Sequence, residues 1–178
     1  MAVDVLNNED IRVKKRLDEA VVRILNVILG ENMPYAMFHE YFQEIAKRET
    51  RSFTVFDNSE LPAGNYGLLE MYCDEHSCDC RRVFLSVISS VTQQIEAVIA
   101  FGWESHKFYA KWLGDEDSYI ISELKGPVLN LSSPQSKIAP AILNIVKNNI
   151  LQDQPYIKRL QTHYKMFRKR IETESKLK

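Results

Sequence analysis

The stretch Tyr72-Cys73-Asp74-Glu75-His76-Ser77-Cys78-Asp79-Cys80-Arg81-Arg82 holds all three cysteines of the 178-residue chain. Three thiols within eight consecutive residues form a ligand set for a transition metal. Thiolate sulfur suits zinc, which takes four ligands in a tetrahedron at roughly 2.3 Å for sulfur. In extended backbone, residues two apart face the same way, so Cys78 and Cys80 can present both sulfurs to one point. The spacing is not the paired C-x-x-C of a zinc finger, and ordinary thiols or a thiol redox switch are the competing readings. An odd number of clustered cysteines makes a poor disulfide framework, and in a reducing cytosol such clusters bind metal or do redox work.

Four histidines compete to complete the metal site. His163 follows Leu160 by three and precedes Phe167 by four, which places it on the buried flank of the last helix, and it is the expected fourth ligand. His76 lies inside the cysteine loop and is the alternative. His106 and His39 rank below them. A lone histidine on a buried flank can also be a satisfied core residue. Three sulfurs and one nitrogen leave no position for a catalytic water, so the zinc expected here is structural; without a fourth protein ligand, the same thiolates make an open site of catalytic type. His39-Glu40 begins a zinc-protease motif, but Gln43 stands where its second histidine belongs. The cytidine-deaminase pattern is not met. Phosphate-loop, dinucleotide and serine-hydrolase signatures are also absent.

The elements that must position these residues follow from hydrophobic spacing. Val13, Leu17, Ala20, Val21, Ile24, Leu25 and Ile28 predict an amphipathic helix over 10–29, ended by Gly30. A second helix is expected from Asn32 and Pro34 onward, with Met37, Phe38, Tyr41, Phe42 and Ile45 on its apolar face. Arg51 to Ala63 reads as a connection, with Phe53 to Phe56 as an alternative edge strand. Tyr66 to Cys73, Cys80 to Ser89 and Ala97 to Trp103 alternate as three strands of an antiparallel meander, with apolar residues on both faces of the second and third. Ser105 and Gly114 bracket a short helix, Ser118 to Leu124 is helical, and Gly126-Pro127 breaks it. Another helix is expected from Ser133 to Leu151, with Pro140 at its true start or at a kink. The last and longest begins near Asp153 and Pro155, with Ile157, Leu160, Tyr164, Phe167 and Ile171 as its stripe.

The expected fold is therefore α+β: a three-stranded meander, four-stranded if Phe53 to Phe56 joins it, packed by N- and C-terminal helices and carrying a Cys-rich hairpin. One domain over 1–178 is expected, with N-terminal helices about 10–48, the sheet about 64–104 and C-terminal helices about 105–175.

Tyr72-Cys73 and Cys78-Asp79-Cys80-Arg81-Arg82-Val83, together with His163-Tyr164 and Phe167, make the hairpin resemble that of a family of uncharacterised bacterial proteins. The resemblance spans Gly64 to Phe167. It implies membership and not function, since the family has no established activity.

Composition narrows the function classes. Hydrophobic residues at 45% and charged residues at 26% are those of a folded globular chain. The formal net charge of -1 argues against a surface dominated by nucleic-acid or membrane electrostatics. The segment 151–178 is net positive, with eight basic and three acidic residues. No signal-peptide pattern opens the chain and no apolar run approaches the ~20 residues of a membrane span, so a soluble, cytoplasmic protein is expected. Arg81 and Arg82 would offset the negative charge of the site or bind an anion. Trp103, Phe108, Tyr109 and Trp112 read as helix-on-sheet packing before they read as a stacking surface. The leading function is an interaction or adaptor domain with a structural zinc, meeting an unidentified protein partner. A metal-dependent, hydrolase-like enzyme is the alternative. Nucleic-acid binding through Lys165, Arg168, Lys169 and Arg170 is a further one, against which the macrodipole already explains basic residues near a helix C-terminus.

Overall fold

The computed structural model describes residues 35–56 and 60–175. The helix expected over 10–29 lies outside them. Among the described residues the elements are β1 Tyr35–Met37, α1 Phe38–Tyr41, α2 Gln43–Glu49, β2 Arg51–Val55, β3 Gly64–Cys73, β4 Arg82–Ser89, β5 Ile95–Gly102, α3 His106–Leu113, α4 Ser118–Lys125, β6 Val128–Leu129, α5 Ala139–Asn148, a 3-10 turn Ile150–Gln152, and α6 Gln154–Ser175. The fold is α+β, as expected, around an open antiparallel sheet.

The meander β3-β4-β5 is present, and three short strands extend it to six. Strand β1 pairs with the last residues of β3, Tyr35 opposite Cys73 and Met37 opposite Met71. Strand β2 pairs with the first half, Arg51 opposite Leu68 and Val55 opposite Gly64. One edge of the ten-residue β3 is thus shared by two short strands, with α1 and α2 between them. The helix expected from residue 32 is corrected here: Tyr35 to Met37 is extended because the edge of β3 offers backbone partners. Its expected apolar face is split between a strand and two helices that break at Phe42 (φ -133, ψ 56). Phe53 stacks on Tyr66 at 5.1 Å, and the strand around it runs Arg51–Val55, leaving Phe56 outside.

The other edge, on β5, is met piecemeal. Strand β6 contributes two residues, Val128 opposite Ala100 and Leu129 opposite Ile99. The Gln135 side chain then acts as a surrogate strand: its Oε1 accepts from Val98 N–H at 3.0 Å and its Nε2 donates to Val98 O at 3.1 Å. Ser136 N–H donates to Glu96 O at 2.9 Å. These bonds keep residues 133–138 out of the helix expected to open at Ser133. Helix α5 starts at Ala139, with Pro140 in its first turn, where a missing N–H costs nothing.

Alternation along the strands makes two faces. Tyr66, Leu68, Tyr72, Val83, Leu85, Val87, Ala97, Ile99 and Phe101 form the main core with α1, α5 and α6. Phe84, Val98 and Ala100 on the opposite face pack with Tyr35, Met71 and Val128. Helices α3 and α4 add a small cluster of Tyr109, Ile121 and Leu124. The Ser105 side chain caps α3 by accepting from Phe108 N–H, and Gly114 ends it at φ 76, as their residue types predict. Helix α6 buries Tyr156, Leu160, His163, Tyr164, Phe167 and Ile171, a stripe at three-and-four spacing against the core face.

Candidate metal centre

Strand β3 ends at Cys73 and β4 begins at Arg82, so residues 74–81 form the connecting loop. Cys78 N–H donates to Glu75 O at 3.3 Å, closing a turn. Ser77 (φ 62) and Arg81 (φ 48) adopt the left-handed conformation that side chains disfavour, which bends the loop back on itself. Cys73, Cys78 and Cys80 are free thiols, and their sulfurs lie within 4.8 Å of one another. A tetrahedral zinc with bonds of 2.3 Å separates its sulfurs by roughly 3.8 Å. That separation falls within the observed limit, so the three cysteines could hold a metal.

The three thiols share protons unequally. Hydrogen bonds from Cys73 and then Cys80 push the Cys78 thiol well down, and the nearby Arg168 assists. Its own hydrogen bonds with Cys78 and Cys80, together with burial, push Cys73 up. The bond with Cys73 lowers Cys80, but Cys78 and burial outweigh it and hold it at about 11. A metal ion must displace the protons these thiols hold, so its affinity would weaken as the pH is lowered.

Helix α6 clamps the loop. Arg168 donates from Nη1 to Cys73 O at 3.0 Å and Glu75 O at 2.7 Å, and its Nη2 bonds Glu172. Glu172 accepts from Ser77 N–H at 3.1 Å and pairs with His76 Nε2 at 3.2 Å. Arg81 N–H donates to the Tyr164 hydroxyl at 3.3 Å. From the other side the Tyr109 hydroxyl donates to Arg81 O at 2.8 Å. A Cβ on Gly102 would lie 2.2 Å from that hydroxyl, so glycine makes the approach possible. Arg81 itself is engaged, with Asp79 at 2.9 Å, Glu104 at 3.1 Å and the Phe108 ring at 4.6 Å.

His163 does not join the sulfurs. Its Nδ1 lies 2.8 Å from Glu70 Oε2, its Nε2 lies 3.1 Å from Glu49 Oε2, and its ring stacks on Phe38 at 4.4 Å. The Tyr72 hydroxyl donates to the same Glu70 oxygen at 2.7 Å. Burial lowers the His163 pKa, but the hydrogen bond and charge of Glu70, then those of Glu49, outweigh it and raise it above the ordinary value. The expectation of His163 as fourth ligand is corrected by alternation: Glu70 points to the core face where α6 packs, and Cys73, three residues on, belongs to the other. His76 is also turned away, with Nδ1 at 2.6 Å from Ser77 Oγ and Nε2 on Glu172. His106 and His39 are exposed on α3 and α1.

Two further side chains stand beside the cysteines: Arg82, which the sequence marks as a charge-offsetting or anion-binding residue, and Tyr35, which it does not mark. Tyr35 is the register partner of Cys73, and Arg82 is paired with Gly102. Continuing the β3–β4 register from Met71 opposite Phe84 places Cys73 across from Arg82. Tyr35, Cys73, Arg82 and Gly102 thus form one row across four strands. Arg82 is 4% exposed, and its Nε and Nη1, like the Tyr35 hydroxyl, are buried without a hydrogen-bond partner. A cleft of about 460 Å³ opens next to the loop, lined by Asp79, Arg81, Trp103, Glu104, Tyr164 and Lys165 among others.

Comparison of the chain with protein-family models, with curated proteins and with solved structures gives no match. No helix among the described residues is long and apolar enough to cross a membrane.

Proposed function

We propose that Cys73, Cys78 and Cys80 bind one zinc ion of structural role, and that the metal-locked loop makes this chain an interaction or adaptor domain. The observation that carries the reading is the convergence of three sulfurs within 4.8 Å on a loop whose backbone is already fixed to α6. Thiolate-rich tetrahedral sites select zinc among the common divalent ions. The ion would tie the end of β3 to the start of β4 and hold Asp79 and Arg81 at the adjoining cleft. Trp103, Tyr164 and Arg81 in that cleft are residue types enriched where proteins meet. The nucleic-acid reading has less support, because Arg168 and Arg170 are paired along their own helix with Glu172 and Glu174.

Protein purified without chelator should carry about one zinc per chain by elemental analysis. A metal-free protein with three thiols titratable in the folded state rejects the reading.

A further inference from the structure

The three sulfurs account for three of zinc's four ligands. Among the described residues, no histidine, aspartate or glutamate brings a ligand atom into their group. What stands nearby is a different kind of chemistry. Arg82 presents Nε and Nη1 of its guanidinium and Tyr35 a hydroxyl, buried and, among the described residues, without hydrogen-bond partners. An unsatisfied buried donor is costly, and a charged one more so.

Their placement is fixed by Phe84. The Tyr35 ring meets it edge-on at 4.4 Å, and the Arg82 guanidinium lies 5.5 Å from its centroid. Both groups are thereby held on the Cys73 side of the sheet, in the row that contains it. Neither donor hydrogen-bonds a sulfur. A carboxylate bound to the metal through one oxygen is a ligand that both could serve, since coordination leaves its other lone pairs available to them.

Charge selects among such ligands. A zinc ion with three thiolates is a monoanion, and Arg82 neutralises it. One further small ligand is then compatible with burial if it is neutral, or if it is a monoanion that accepts hydrogen bonds from the guanidinium and the phenol. Guanidinium groups match carboxylate oxygens in shape and charge.

Building on the zinc reading, we propose that the fourth coordination position takes an exchangeable oxygen ligand, a water that a small monocarboxylate displaces, held by Arg82 and Tyr35. The site is then a receptor for a small carboxylate as well as a structural staple.

Cobalt(II) substitution tests this. Sulfur-to-cobalt charge-transfer bands in the near ultraviolet report the three thiolates, and visible d–d bands report the fourth position. Acetate should shift the visible bands saturably while leaving the charge-transfer bands in place. Arg82→Met should weaken acetate about tenfold, equivalent to ~1.4 kcal/mol, and Tyr35→Phe about threefold. If Arg82→Met does not fold, Tyr35→Phe, which loses one oxygen only, decides the matter. Visible bands indifferent to acetate in the wild type, or variants that bind acetate as the wild type does, overturn the proposal while the zinc reading stands. No charge-transfer band on adding cobalt overturns the zinc reading itself.

Discussion

Two polar clusters hang from strand β3 three residues apart, and they are built on opposite principles. On the core face, Glu70 meets His163 and Tyr72, and Glu49 takes the second ring nitrogen, so the imidazole is satisfied within the chain. On the other face, Cys73 meets two more thiols, with two guanidinium nitrogens of Arg82 and the Tyr35 hydroxyl alongside, unpartnered among the described residues. The first cluster is complete as folded. The second has, among the described residues, donor atoms and sulfur ligands without partners, and on the reading proposed above that surplus is what a ligand would use.

The sharpest way to break the comparison is to remove a sulfur. Cys80→Ser should lose the metal and about 5 kcal/mol of stability, because a structural zinc contributes its binding energy to folding. For a chain of this length that is a fall in melting temperature of roughly 10–20 °C. The same chelator should lower the wild-type melting curve and leave the variant's unchanged; a wild-type curve indifferent to chelator counts against the metal.

The matching change on the core face is His163→Ala. It leaves Glu70 buried opposite a cavity, at a cost of about 3–5 kcal/mol in urea unfolding. Zinc content should stay at the wild-type level. Loss of zinc along with stability would join the two clusters that the structure separates. Arg168→Met is intermediate, about 2 kcal/mol, since it removes charged hydrogen bonds to two loop carbonyls.

The core cluster should also show itself in pH. The folded pKa of His163 is raised, so its contribution is fully present below the unfolded value of about 6.5 and is lost as pH rises through the folded value. Wild-type stability should therefore fall more steeply than that of His163→Gln as pH rises above about 6.5. Parallel profiles would show that His163 does not titrate in this range. At the small end, His76→Ala should stay within about 0.5 kcal/mol, because its pair with Glu172 is largely exposed. A larger change, or a drop in metal affinity, would return His76 to the site.

Much of this was legible in the sequence where local pattern and tertiary structure agree. Period-two spacing marked β3, β4 and β5, and Ser105 with Gly114 bracketed α3. Strands β1 and β6 are too short for periodicity to register, and they exist only because a neighbour's edge is available. For the site, sequence placed His163 on the correct flank of its helix and still misassigned its partner. The same alternation that sets Glu70 and Cys73 on opposite faces already excluded a single side chain from serving both; the one charged residue of the strand was the signal. Tyr35 carried no such mark, since its proximity to Cys73 comes from a pairing between residues 38 apart in number.

The piecemeal cover of both sheet edges has a consequence for behaviour in a crowded solution. A long exposed strand is a template on which another chain can add its own, the first step towards aggregation. Here β3 is shielded by two short strands with helices between them, and β5 by two residues of β6 and an amide side chain that mimics a third. Neither offers an uninterrupted row of free backbone groups. Gln135→Ala would expose Val98 at the middle of β5, and turbidity on prolonged incubation at high concentration, rather than a lowered melting temperature, is where its effect should be felt.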